Sequence, residues 1–370
     1  MKIRDKIITV MFCTFIGAMA VLTAVLPKKA VSENEKRTLS KFPNFTLQKL
    51  MSGRWESEFE SYISDHFPAR ETFAATDAYF MLSTGRNGTN GIYKGKDGYL
   101  FTVPVEFDRE KLTENIIELN NFAEKTGIKT KLITVPTSGY IMQEWLPLNH
   151  RTYRDGEIIS YIREMLPNVD VIDPSAEFKK GKLYVQLYYK TDHHWTSYGA
   201  YTAYRLWVQS EGIKHRTADD YTITKTDGFY GTSYSKSALW LTEPDTIETW
   251  EYPLDVTVTI EGGEEYDDMF FREHLAESDK YSVYLDGNHG FESIVNNENP
   301  NGKKILLIKD SYAHCFAPFM AENCSQIDMV DLRYYYESVS QLAEENGYDE
   351  VLALYGLSSL CESNDLSILE

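Results

Sequence analysis

A carboxylate and two imidazoles crowd one short stretch, Lys190-Thr191-Asp192-His193-His194-Trp195-Thr196, where a tyrosine-rich run gives way to a helical pattern. Histidine is the side chain whose unperturbed pKa lies near neutrality, and a neighbouring aspartate can hold it in one tautomer and stabilise its charged form. Such a pair needs a nucleophile, and the chain offers one far downstream. In Lys303-Lys304-Ile305-Leu306-Leu307-Ile308-Lys309-Asp310-Ser311-Tyr312-Ala313 an apolar run flanked by charges reads as a buried strand, with a helix over Ala313 to Asn323. Ser311 then falls at the strand-to-helix turn, where backbone N–H groups can receive a developing oxyanion. The candidate triad is Ser311 as nucleophile, His194 as base and Asp192 as orienter. Plainer readings stand beside it: Asp-His-His also caps helices, and Asp-Ser is a common turn pair. A third makes Asp192, His193 and His194 metal ligands, as in manganese phosphoesterases. Those enzymes need further Asp-rich motifs, and no Asp-x-Asp lies upstream of the tetrad, so the reading assigns no metal and no cofactor.

The elements that must position these residues follow from periodicity. Beyond residue 108 the pattern alternates. Leu112, Ile116, Leu119 and Ala123 mark a helix, Lys131 to Val135 a strand, Ile158, Ile159, Ile162 and Leu166 a helix, and Val169 to Ile172 a strand. After the tetrad, Ala200, Ala203, Tyr204, Trp207 and Val208 line another helix. The serine strand is followed by strands at Ile327 to Leu332 and Val351 to Leu354, with a helix around Val339 to Ala343 between them. Alternation of this kind implies an α/β fold with a mostly parallel sheet flanked by helices and right-handed crossovers. Between tetrad and serine, roughly 217–300 is acidic and turn-rich, and reads as a small mixed α+β insertion over the site rim, with a strand at Thr257 to Ile260.

Upstream, Ile7 to Leu26 is an uncharged apolar run of 20 residues, enough to cross a bilayer as a helix. Lys2, Arg4 and Lys6 precede it and favour the N-terminus inside, while Lys28 and Lys29 oppose that choice. Leu26-Pro27-Lys28-Lys29 lacks the small residues that signal peptidase prefers. Residues 1–29 are therefore read as a cytoplasmic tip and signal-anchor helix, the remainder being secreted if the segment is cleaved. Residues 30–107 read as an N-terminal arm, a helix with a core-facing stripe (Trp55, Phe59, Tyr62, Ile63, Phe67) and a hairpin about Gly95-Lys96-Asp97-Gly98, packing on the main domain at 108–370. The formal charge of −19 argues against sequence-independent nucleic-acid binding and against adhesion to an anionic membrane face. The four cysteines show no Cys-x-x-Cys motif and define no disulfide framework.

The Asp-His-His-Trp tetrad, the Lys-Asp-Ser-Tyr turn, Ser32-Glu33-Asn34-Glu35-Lys36-Arg37-Thr38-Leu39 and Gly95-Lys96-Asp97-Gly98-Tyr99-Leu100-Phe101 together resemble the bacterial DHHW protein family. That family is similar to the SGNH hydrolase-like domains of alginate O-acetyltransferases. The resemblance implies a circularly permuted SGNH-like, flavodoxin-like sheet, because the Asp/His pair precedes the serine instead of following it. It puts the acetyltransferases' Asp-x-His on Asp192 and His194 and their serine on Ser311, and gives His193 no triad role. Ligands of such sheets bind at the strand C-terminal ends, where Ser311, Tyr312, Arg333 and Tyr355 would converge. The chain lacks the superfamily's Asn donor after the third strand; Arg333, Tyr312, Tyr355 and Asn288 are candidates to stabilise the oxyanion or bind substrate, against a structural ion pair for Arg333 and a turn for Asn288. The implied activity is an extracytoplasmic serine O-acetyltransferase or acetyl esterase acting on a cell-surface polysaccharide. A polytopic membrane acyltransferase is the implied acetyl donor. The competing class is a non-catalytic module that binds glycan or an envelope protein on the same scaffold.

Overall fold

The computed structural model of the protein describes residues 3–363 and 365–369. Met1 and Lys2, part of the expected cytoplasmic tip, lie outside them. The chain divides into two compact units, one made of residues up to Asn90 with Tyr234–Leu241, the other of Gly91–Ser233 with Thr242–Glu370.

The first unit opens with α1 (Ile3–Val25), long and apolar enough to cross a membrane, with a mean hydropathy of 2.2 and 6% of its most apolar window buried. In α2 (Arg54–Asp65) the apolar residues recur at helical spacing as expected, but none is fully buried. The stripe is therefore not a core face. Phe59, Tyr62, Ile63 and Phe67 instead line a groove of about 540 Å³ together with Ile16, Met19 and Ala20 of α1. The stretch expected as an extended arm is tied down by its charges. Arg37 forks onto Asp65 at 3.0 and 2.5 Å, and Ser32 and Asn34 donate to Glu71.

The second unit begins with the expected hairpin, β1 (Ile92–Lys94) and β2 (Leu100–Thr102), whose turn takes Gly98 at φ 83°. Leu100 N–H donates to the Lys190 carbonyl at 2.7 Å and Phe101 is buried, so the hairpin belongs to this unit and not to the arm that the sequence reading ran to residue 107. There follow α3 (Arg109–Thr126), β3 (Lys129–Val135), α4 (Asp155–Met165), β4 (Val169–Ile172) and α5 (Ser197–Glu211). Asp108 caps α3 by accepting from the Glu110 and Lys111 N–H groups, and Gly127 ends it in the left-handed conformation. Next come β5 (Thr222–Phe229) and β6 (Asp245–Glu251), an antiparallel ribbon, then β7 (Val256–Ile260), β8 (Glu265–Tyr266) and β9 (Phe291–Asn296). The last third is β10 (Lys303–Lys309), α6 (Tyr312–Met320), β11 (Cys324–Val330), α7 (Val339–Asn346), β12 (Glu350–Gly356) and α8 (Leu357–Glu362).

The main sheet has eight strands in the order β8-β7-β9-β11-β10-β12-β3-β4. From β11 to β4 all neighbours are parallel, while β9, β7 and β8 add antiparallel. Part of the 217–300 insertion thus continues the sheet instead of standing apart. β7 buries every second residue and β9 covers what would otherwise be an open edge of β11. The central strands β10 and β12 are buried on both faces, which is why their middles read as unbroken apolar runs, whereas the edge strand β4 leaves Asp170 exposed. Ile305, Leu307, Ile327, Met329, Leu352 and Leu354 share one core with α5 and α6. Leu306, Ile308, Val330, Val351 and Ala353 share the other with α3, α4, α7 and α8. All four cysteines are free, Cys315 and Cys324 among the buried ones.

Candidate active site

β10 ends at Lys309 and α6 begins at Tyr312, so Ser311 occupies the turn between them, in right-handed helical conformation (φ −66°, ψ −15°). Asp310 locks that turn. Its Oδ1 accepts the Tyr312 N–H at 3.0 Å, and its Oδ2 accepts the Gly356 N–H and the Ser359 hydroxyl, each at 2.8 Å. Burial raises the Asp310 carboxyl above its ordinary range against the pull of these bonds. The Asp-His-His loop is held from beneath by Asp245, which accepts the Lys190 and Thr191 N–H groups at 2.9 and 2.7 Å and the Thr191 hydroxyl at 2.6 Å. Thr196 then caps α5.

Three side chains from these two places meet. The Ser311 Oγ lies 2.7 Å from His194 Nε2, and His194 Nδ1 lies 2.6 Å from Asp192 Oδ1, across a separation of 117 residues. Asp192 also accepts the N–H groups of His194 and Thr232, at 2.8 and 2.6 Å. Burial works to push its carboxyl up, yet the two adjacent imidazoles and these hydrogen bonds outweigh burial and hold it well below the usual range. Asp192 is therefore charged and His194 is fixed in the tautomer with its proton on Nδ1, leaving Nε2 to accept from Ser311.

His193 stands beside the three. Its Nδ1 contacts the Thr232 hydroxyl at 2.6 Å and lies 3.4 Å from Asp192. Ligand atoms of Asp192, His193 and His194 fall within 4.8 Å of one another. Both Asp192 oxygens, however, already accept N–H groups and both His194 nitrogens are engaged, so the set is satisfied as a hydrogen-bond relay and does not fit a resident metal.

The remaining candidates separate. Arg333 is partly exposed and clamped bidentately on buried Asp331, at 2.8 and 2.5 Å, with a third bond to Asn288 Oδ1 at 3.1 Å. Asn288 thus steadies the guanidinium. Tyr312 does not offer its phenol to a substrate, because it is buried and donates to the His193 carbonyl at 2.7 Å. Tyr355 is likewise not at an open rim. It is fully buried in the core that faces α3 and α8. Sequence reasoning passed over Asp310 and Asp245, whose roles depend on partners far along the chain. It also passed over Tyr281, whose ring stacks on His194.

Residues 159–330 match the family model described as DHHW protein, and residues 92–223 that of the SGNH hydrolase-like domain of acetyltransferase AlgX. A probable alginate O-acetylase AlgJ from Pseudomonas syringae pv. tomato is 25% identical over 178 residues, 45% of this chain; the match spans only 45% of that relative's length. Among solved structures, a DHHW family protein from Eubacterium siraeum is 25% identical with a TM-score of 0.66, over 76% of this chain and 95% of that one. Bacillus cereus PatB1, with a sulfonyl adduct, shares the fold at 22% identity and a TM-score of 0.63, over 75% and 98% of the two chains. The stretch that carries both the Asp-His-His-Trp tetrad and the serine thus lies within the match to the DHHW family model, on an SGNH-like fold.

Proposed function

We propose that the protein is a membrane-anchored, extracytoplasmic serine O-acetyltransferase that modifies a cell-surface polysaccharide. The observation that carries the reading is the continuous relay from Ser311 through His194 to a charged, buried Asp192. Its likeness to a probable alginate O-acetylase and to an acetyltransferase domain supports the acetyl group and the polysaccharide. α1 supports the anchor.

The chemistry follows from the atoms present. As Ser311 Oγ attacks the acetyl carbonyl of a donor, its proton passes to His194 Nε2, and the tetrahedral adduct collapses with that proton going to the leaving group. Acetyl-Ser311 remains. A sugar hydroxyl then attacks, gives its proton to His194, and Ser311 leaves with the proton restored. Water in place of sugar makes the same cycle an esterase. Asp192 stays ionised throughout and stabilises the imidazolium. Arg333, held by Asp331 and Asn288, is the cation available for a carboxylated sugar or a developing negative charge. A polytopic membrane acyltransferase would deliver acetyl groups to such a site.

The test uses the full chain in detergent with an activated acetyl ester, alongside Ser311→Ala, His194→Ala and chelator-treated samples. The expected result is a mass gain of one acetyl on Ser311, abolished in Ser311→Ala, slowed by about 10³-fold or more in His194→Ala and indifferent to chelator. Folded protein that binds glycan but never acquires an acetyl group would instead make it a binding module, a reading favoured by the loss of Tyr312 and Tyr355 as oxyanion donors.

A further inference from the structure

The His194 imidazole is enclosed by rings. The Tyr281 ring lies parallel to it, with centroids 4.1 Å apart and 9° between planes. Tyr312 meets it edge-on at 5.0 Å and His193 lies tilted at 3.8 Å. Tyr281 comes from a one-turn helix, Lys280–Val283, inside the insertion, and no sequence motif marks it. It is buried, packs edge-on against Tyr284 at 5.3 Å, and its hydroxyl lies 3.4 Å from the Ser311 carbonyl. Tyr284 is itself pinned, donating to the Glu248 carbonyl of β6 at 2.6 Å. The stacked ring is thus braced from the β5–β6 ribbon.

We infer that Tyr281 is a positioning residue for the base: its ring keeps the His194 imidazole in the plane that joins Asp192 to Ser311. An imidazole held only by its two edge hydrogen bonds can turn about its Cβ–Cγ bond, and half a turn breaks both. A parallel ring at van der Waals distance blocks that rotation, and its π face meets the positive charge that appears when Nε2 takes the serine proton. The insertion then completes the triad's wall from a segment that contributes no reacting atom. This role rests on the relay geometry and deepens the proposed function.

The experiment reads ring order separately from activity. In full-length protein with ¹⁵N-histidine, the Nδ1 proton shared by His194 and Asp192 should give a strongly deshielded resonance that exchanges slowly with water. In Tyr281→Leu, which keeps bulk but removes the stack, exchange should accelerate about 10-fold or more, and acylation of Ser311 should fall about 10- to 100-fold in kcat with KM little changed. Tyr281→Phe, which keeps the ring and loses only the hydroxyl, should restore both to within about threefold of the parent. Equal protection and equal rate in Tyr281→Leu would overturn the inference and leave the triad intact. Absence of the shared proton in the parent protein would overturn both. Faster exchange in Tyr281→Leu, in a protein that never acquires an acetyl group, would uphold the positioning and refute the enzyme.

Discussion

Gly231 has no room for a side chain, because a Cβ built there would lie 2.1 Å from the Asp192 Cβ and 2.2 Å from its Oδ2. Gly231→Ala must therefore push Asp192 away from His194. The expected outcome is a loss of about 1–3 kcal/mol in urea unfolding and a fall in Ser311 acylation of about 10- to 100-fold. Asp192→Asn keeps the shape and removes the charge. Since the carboxylate fixes the tautomer, acylation should fall by about 10⁴-fold while far-UV and near-UV spectra stay unchanged. The residues that sequence reveals are those whose type alone carries chemistry: an aspartate, a histidine and a serine at a strand end. Tyr281, Asp245 and Asp310 were illegible because an ordinary tyrosine or aspartate acquires its role from a partner tens of residues away. Tyr355 misled for a different reason. Its place after a strand suggested the rim, but strand alternation puts it with Val351 and Ala353, on the face away from α6.

Asp155 opens α4 and is fully buried, with one oxygen accepting the Thr137 N–H and hydroxyl at 2.7 and 2.6 Å and the other left without a partner among the described residues. Burial raises its carboxyl to about 6. The unfolded chain, with a carboxyl near 3.9, releases its proton at lower pH than the folded chain does. Stability from this group is thus greatest below about pH 4 and falls as pH rises through about 6. Urea unfolding of the parent should lose about 2–3 kcal/mol over that interval relative to Asp155→Asn, which has no such proton to release. Elements of this kind were largely legible, since short apolar runs and the 3.6-residue period identified the strands and helices of the parallel core. The fate of the insertion was not. Whether an alternating strand such as β7 joins the main sheet or forms its own depends on which edge is open, and β11 offers that edge only once the fold has formed. The half-buried stripe of α2 shows the complementary failure: helical spacing predicts an apolar face but not how much core there is to cover it.

For the whole molecule, the uncharged run of α1 predicts that expressed full-length protein stays with membranes through an alkaline carbonate wash and requires detergent for release, and that intact mass retains residues 1–29. Release of a soluble chain starting near residue 30 would instead identify a cleaved leader. The strand order has a consequence in time. β3 and β4, together with the Asp-His-His loop, are made long before β10 and β11, and β12 joins these two halves of the parallel sheet, pairing with β10 on one side and β3 on the other. A chain that emerges from its N-terminus thus exposes its base first and its nucleophile much later, and closes the sheet with its last strand. Until residue 311 has been made the base has no serine to accept from, so the pair belongs only to the nearly finished chain.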